Sequence, residues 1–178
     1  GYVDEEFERF GVPKSERGER TADAAKVCRG AWSEGPLAHD SAFHRAPPDT
    51  VVTPKPEHPP TLMLGGSAKP AVRRAARLAD AWCAPSSLSP EELKTRADDI
   101  ERVRREEGLD GEFTNYALVH GFVGESETEA WETVREGFLH MQRKYAEWYA
   151  GEPVELSDER IASLKEQAVF GTPEQICS

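Results

Sequence analysis

The sequence has 178 residues, a formal net charge of -11 and a hydrophobic fraction of 38%. That length suits one domain or part of a larger one, and the acidic balance argues against nucleic acid or an anionic membrane surface as the main partner. There is no leader pattern and no apolar run near the roughly 20 residues of a membrane span, and Cys28, Cys83 and Cys177 form neither a CxxC pair nor a disulfide framework, so a reducing cytoplasm is the expected location.

Residues 1–12 read as a short acidic helix with Phe7 and Phe10 on one face, followed by a polar turn over 13–20. Thr21 is placed to cap a helix running to about Trp32, which Gly35-Pro36 ends. Residues 35–60 carry seven prolines and little periodicity. They read as an ordered excursion in which residues 39–44 pair with Val51-Val52, anchored by Phe43.

The stretch Thr61-Leu62-Met63-Leu64-Gly65-Gly66-Ser67 follows. Its apolar part lacks polar alternation, as in a strand of a parallel sheet. Two glycines admit positive φ and close backbone approach. Ser67 is a candidate N-cap for the alanine-rich helix after Pro70. Strand, glycine turn and helix start together form an anion site, most often for phosphate, or else only a tight connection.

The helix over 70–79 should bury Val72, Ala75, Ala76 and Ala79, leaving Arg73, Arg74 and Arg77 toward solvent or a neighbouring element. Asp80 to Pro85 is a second buried strand. Ser89-Pro90-Glu91-Glu92 is a capping box that opens a helix with Leu93, Ala97, Ile100 and Val103 inward and Gly108 as its stop. Phe113 to Val123 reads as a third strand. Ser126-Glu127-Thr128-Glu129 opens a long helix striped by Trp131, Val134, Phe138, Met141, Tyr145 and Trp148. Residues 158–165 form a short helix, and Thr172-Pro173-Glu174-Gln175 starts another. Alternating strands and helices imply right-handed βαβ units and a parallel sheet. His39, His44 and His58 show no metal-ligand spacing and read as surface residues, so no metal site is expected. His120 is the one histidine in a strand position that can reach a pocket.

The order of these motifs is specific. Gly1 to Val12, Glu16-Arg17-Gly18-Glu19-Arg20-Thr21, Pro54-Lys55-Pro56 with Pro59-Pro60, Leu64-Gly65-Gly66-Ser67, Arg74 to Trp82 and Phe170-Gly171-Thr172-Pro173-Glu174-Gln175 follow one another across nearly the whole chain. In that order they resemble the C-terminal half of the luciferase-like monooxygenase superfamily, the flavin- and deazaflavin-dependent TIM-barrel oxidoreductases. The resemblance implies a partial (β/α)8 barrel of α/β class, lacking the early strands and the last one. It implies a single domain over 1–178, with 35–60 as an insertion near the active-site mouth.

It further implies a cofactor, FMN or the deazaflavin coenzyme F-420, at the C-terminal ends of the strands, and a small organic substrate. Gly65, Gly66 and Ser67 match the turn beside the cofactor phosphate. Arg17 matches a charged partner of the phosphate or cofactor tail, or else makes a helix-entry salt bridge; Glu6 matches a position near the cofactor. The catalytic residues of the family lie in strands absent here, so none is assigned and the fragment alone is expected to be inactive. Where the family has Asp-Gly-Trp, this chain has Asp80-Ala81-Trp82. Two other readings stay open: a truncated half-barrel serving as a binding or structural module, which its open sheet edges would drive to self-associate, and an unrelated α/β binder of a phosphate ligand.

Overall fold

Parallel pairing between short strands, most of them followed by a helix, is the main pattern in the computed structural model, which describes residue 1 and residues 3–177. The chain packs as two units, residues 11–117 and residues 118–178 with 1–10.

In the first unit a 3-10 turn, Lys14–Glu16, runs into α2, Arg17–Trp32, while α1, Asp4–Arg9, belongs to the other unit. α2 starts a turn earlier than Thr21 suggests. Thr21 lies inside it and donates its hydroxyl to the Arg17 carbonyl at 2.7 Å rather than capping it. Residues 35–60 hold an antiparallel hairpin, β1 Leu37–Asp40 with β2 Arg45–Thr50, in which Leu37 faces Thr50. The pairing expected with Val51-Val52 is not made, and Val51 is exposed. The hairpin is held to α2 by a polar knot. Asp23, only 8% exposed, accepts from His39 Nε2 at 2.8 Å, Ser41 Oγ at 2.8 Å and His44 Nδ1 at 2.6 Å. His39 and His44 are therefore structural ligands of a carboxylate, not free surface residues. Further along, Lys55 Nζ donates to the Ala31 carbonyl at 2.8 Å, satisfying an orphan acceptor in the last turn of α2.

The sheet of this unit is parallel, in the order β3 Met63–Gly65, β4 Ala81–Ala84, β5 Thr114–Ala117. The helices α3, Lys69–Leu78, and α4, Pro90–Glu106, are its crossovers. Their inward faces are Val72, Ala75 and Ala76 from α3 and Ile100 and Val103 from α4, closed over Trp82 and Ala84 of β4. The alanines let α3 approach the sheet closely enough to bury Trp82 to 1% exposure. The α3 arginines turn to a neighbouring element: Arg73 pairs with Asp99 at 3.2 Å and Arg77 with Glu107 at 2.5 Å, while Arg74 lies against Gly18 of α2. The Ser89 capping box forms as read, with Pro90 at the first helical position. Asp80 ties the strand starts together. Its carboxylate accepts from Leu62 N at 2.8 Å and Arg29 Nη2 at 2.5 Å, and its carbonyl accepts from Thr114 N at 3.1 Å.

The second unit has α1, the parallel pair β6 Gly121–Val123 and β7 Val169–Gly171, and the helices α5 Glu127–Ala150, α6 Asp158–Glu166 and α7 Pro173–Ile176. The strand read over 113–123 is thus two strands. Its first half pairs with β4 and its second with β7, so the chain leaves one ladder for another between Ala117 and Gly121. β7 is too short to stand out in the sequence. Trp131, Phe138, Leu139 and Leu164 form the core here, with Phe170 packed against it. Phe138 meets the Trp131 and Phe170 rings edge-on, both at 6.0 Å. His120 lies edge-on to Phe138 at 5.5 Å, a packing role. The outer part of the α5 stripe, Tyr145 and Trp148, stays exposed.

Candidate functional site

The turn after β3 is held at several backbone positions. Gly65 closes the strand, and its position leaves a Cβ at 3.4 Å from the Cys83 carbonyl oxygen. Gly66 has φ of +122°, a conformation that only glycine adopts without strain, and a Cβ there would stand 2.9 Å from the Ala71 Cβ. Ser67 is not the N-cap. Ala68 holds that place with no side-chain cap, and α3 begins at Lys69. The physical reason lies in the Gly66 conformation, which carries the chain one residue further before helical dihedrals start. The Ala68 carbonyl then accepts from Ala71 N at 2.8 Å and Val72 N at 3.0 Å, closing the first turn.

Three backbone donors are left without a partner. Among the described residues no backbone carbonyl or side chain takes the N–H of Ser67, Ala68 or Lys69, and Pro70 has none to offer. Three successive amides at the positive end of a ten-residue helix form a site suited to a phosphate or other anion. Two side chains from behind hold the turn. Trp82 Nε1 donates to the Gly66 carbonyl at 2.8 Å and Arg96 Nε to the Ser67 carbonyl at 2.9 Å. Neither was legible as a site residue. Trp82 reads as core and Arg96 as one more helix charge; only the position of Trp82 next to Asp80, across the ladder from the turn, carries a signal.

The other expected site residues, Arg17 and Glu6, lie on α2 and α1. Arg17 opens α2 and donates Nη1 to the Lys14 carbonyl at 3.0 Å. Its helix-entry partner is a carbonyl, and the nearby ion pair is made by Arg20 with Glu16 at 2.8 Å. Glu6 is an exposed residue of α1 in the second unit.

Asp23 is a buried carboxyl with three hydrogen-bond donors around it. Burial pushes its carboxyl up, but hydrogen bonds from His44, Ser41 and His39 outweigh that and bring its pKa down to about 2. Asp80 is held below the usual carboxylate range chiefly by its bond from Arg29. Both are ionised anchors rather than proton carriers at neutral pH. Among the described residues no group of three or more His, Cys, Asp or Glu side chains is arranged to hold a metal ion, and no helix is long and apolar enough to cross a membrane.

In the second unit a cleft of about 570 Å³ opens at the C-terminal ends of β6 and β7. Phe122 and Val123 give it an apolar wall, and Glu125, Glu129, Thr172 and Glu174 a polar rim. The C-terminal ends of parallel strands are where α/β barrels place ligands. The sequence did not point to this cleft because β7, whose end brings Thr172, Pro173 and Glu174 to it, was not legible.

Comparison with known proteins bears on the family and the fold. The family model described as "Luciferase-like monooxygenase" matches residues 1–178. An uncharacterised protein of Mycobacterium tuberculosis strain H37Rv is 34% identical over 114 residues, which make up 64% of this chain and 38% of that protein. Among solved structures, the monooxygenase RslO1 from Streptomyces bottropensis superposes with a TM-score of 0.79 at 20% identity, over 99% of this chain and 53% of that one. An F420-dependent secondary alcohol dehydrogenase, solved with an F420-acetone adduct, gives 0.71 at 19% identity, over 92% of this chain and 51% of its own. The coenzyme F420-dependent tetrahydromethanopterin reductase from Methanopyrus kandleri gives 0.63 at 13% identity, over 96% and 59%. The chain thus spans about half the length of these structures, and its α/β fold is that of a partial barrel.

Proposed function

Because the chain belongs to the luciferase-like monooxygenase family, we propose that it is part of an oxidoreductase that uses FMN or coenzyme F420 on a small organic substrate. The observation that carries this reading is the run of free amides at Ser67, Ala68 and Lys69, behind a glycine that tolerates no side chain. Those donors suit the phosphate of either cofactor, and they lie after a parallel strand, the usual place for a ligand in a barrel. The cofactor would supply hydride transfer or, in reduced FMN, dioxygen activation. The chain's own part is to bind the phosphate and so fix the position of the ring. The backbone amides do the binding, the α3 dipole adds attraction for the anion, and the local field opposes a formal net charge of -11. We keep Arg17 and Glu6 as further contacts of the cofactor, and read 1–178 as one domain of the family with 35–60 near the mouth of the site.

Two neighbours are named for F420 and others for monooxygenation, so both cofactors are carried. The test is equilibrium binding of FMN and of coenzyme F420 by fluorescence, for the native chain and for Ser67→Glu. A carboxylate at the turn should abolish binding of whichever cofactor binds. Equal binding by native chain and variant would overturn the phosphate reading.

A second reading, a binding module that pairs through its sheet, has one observation in its favour. All four residues of β5 are exposed, Tyr116 among them, and an uncovered strand invites pairing. Sedimentation of the chain across a concentration series separates the two. A concentration-independent monomer that binds a cofactor excludes the module.

A further inference from the structure

We propose that Asp23, His39 and His44 form a clasp that takes one proton, on His44, and that with it the tip of the 35–60 excursion is held to α2 more firmly in mildly acidic than in mildly alkaline solution. The clasp is built from α2 and the β1–β2 hairpin alone and does not depend on the cofactor reading.

An ionised carboxylate only accepts hydrogen bonds. Asp23 is buried and ionised, so its bonds require an N–H on His39 Nε2, at 2.8 Å, and on His44 Nδ1, at 2.6 Å. Each neutral ring has one N–H, and these two bonds use both. His39 Nδ1 and His44 Nε2 are then the nitrogens that can take a further proton. Either ring binds Asp23 whether it is neutral or charged, so a proton changes the strength of the clasp and not its geometry. The grip extends along the turn between the strands. Asp23 Oδ2 also accepts from the Ser41 hydroxyl at 2.8 Å, and Ser41 Oγ accepts from the amides of Phe43 at 3.1 Å and His44 at 3.0 Å.

The charges around the clasp offset one another, Asp23 excepted. On α2, Arg20 lies over the Phe43 ring at 4.7 Å and pairs with Glu16 at 2.8 Å. Glu19 and Lys26, exposed one turn before and after Asp23, are of opposite sign. On the hairpin, Asp40 pairs with Arg45 at 3.5 Å, and Asp49 is exposed at the other end of β2. With both rings neutral the clasp carries one negative charge. One proton neutralises it, whereas a second would leave an excess positive charge beside a buried group. The rings compete for that proton unequally. The His44 side chain is 44% exposed and that of His39 15%, so charging His44 forfeits less hydration.

An imidazolium on a carboxylate is a charge-assisted pair, stronger than the neutral bond it replaces. The closed tip therefore holds the proton better than the open one, in which the ring is in water. Closure gains from protonation below the ordinary imidazole value of about 6.5, and the gain is lost as pH rises past it.

The experiment is amide hydrogen exchange of the full chain, read by NMR at about pH 5 and about pH 8, which bracket the charge change of imidazole. Rates are expressed as protection relative to an unstructured peptide at the same pH. The amides of Ser41, Phe43 and His44 are bonded within the tip and report the clasp, and those of Asp80 and Thr114 report the sheet. In the native chain the tip should be about fivefold better protected at the lower pH, the difference between a charged and a neutral bond, with no such change in the sheet. His44→Asn keeps a donor where Nδ1 stood but cannot gain a proton, and should remove the pH dependence. His39→Gln keeps a donor where Nε2 stood and should retain it. Asp23→Asn should lower the protection and remove its pH dependence; the two histidine variants leave Asp23 in place and decide the matter if that chain does not fold.

Equal protection of the native tip at both pH values overturns the clasp. So does a pH dependence that survives His44→Asn or disappears in His39→Gln. A change shared by the Asp80 and Thr114 amides belongs to the whole unit and overturns it as well.

Discussion

Replacing Gly66 by alanine tests the geometry of the turn at its tightest point. Gly66 sits at φ +122° and its Cβ would lie 2.9 Å from the Ala71 Cβ. A non-glycine residue in that region of backbone space costs about 1–3 kcal/mol. Carbon atoms prefer about 3.5–4.0 Å, and Ala71 is on the first turn of α3 and has no rotamer to relieve the overlap, so overpacking adds about 1–3 kcal/mol. The combined loss should be about 3–4 kcal/mol, and with a urea m-value of about 1–3 kcal/mol per molar it lowers the midpoint by about 1–4 M. Gly108→Ala is the control. Gly108 follows α4 at φ +66° with nothing within 4 Å of its Cβ, so it carries only the left-handed penalty of about 1–2 kcal/mol. Urea unfolding of the three proteins by circular dichroism measures the difference. If Gly66→Ala loses no more than Gly108→Ala, the close approach between the turn and α3 is not real and the reasoning is refuted.

The knot at Asp23 gives a pH dependence with a definite sign. A folded pKa of about 2 against an ordinary value of 3.8 stabilises the fold above pH 3.8, and that stability is lost as pH falls toward 2. Thermal midpoints measured across that window should fall less steeply in Asp23→Asn than in the native chain; parallel slopes would contradict the assignment. Asp80→Ala removes the acceptor for the Leu62 amide and the Arg29 guanidinium. Bonds to a charged group contribute about 1.5–3 kcal/mol, but the Asp80 carboxylate is 41% exposed, so urea unfolding should show about 1–2 kcal/mol. Phe138→Ala opens the aromatic core of the second unit and should cost about 3–5 kcal/mol in the same assay.

Much of the fold was legible because local signals agreed with it. The Ser89-Pro90-Glu92 box, the alanine face of α3 and the Trp131–Phe138 spacing each specify one structure, and each formed. Features that depend on distant partners were not legible. β7 is three residues long and has no periodicity to read. The break between β5 and β6 exists because two different strands claim the two halves of one apolar run. The hairpin register in 37–50 is set by Asp23, a residue of α2, rather than by Val51 and Val52. At the candidate site the glycines were plain, since backbone freedom is written into residue type. Ser67 was assigned as a cap from its chemistry, yet Gly66 carries the chain past it and gives Ala68 that place. Trp82 and Arg96 act on the turn through bonds across 16 and 29 residues, which no local pattern encodes.

The central claim is that the turn after β3 binds a cofactor through its phosphate. The most direct measurement is calorimetric titration of this chain with FMN and with riboflavin, which differ only in that group. The account predicts that FMN binds at least about tenfold more tightly, a difference of about 1.4 kcal/mol from the aligned amides, and that added inorganic phosphate competes with it. Equal affinity for the two, or binding of FMN that phosphate does not affect, would contradict it.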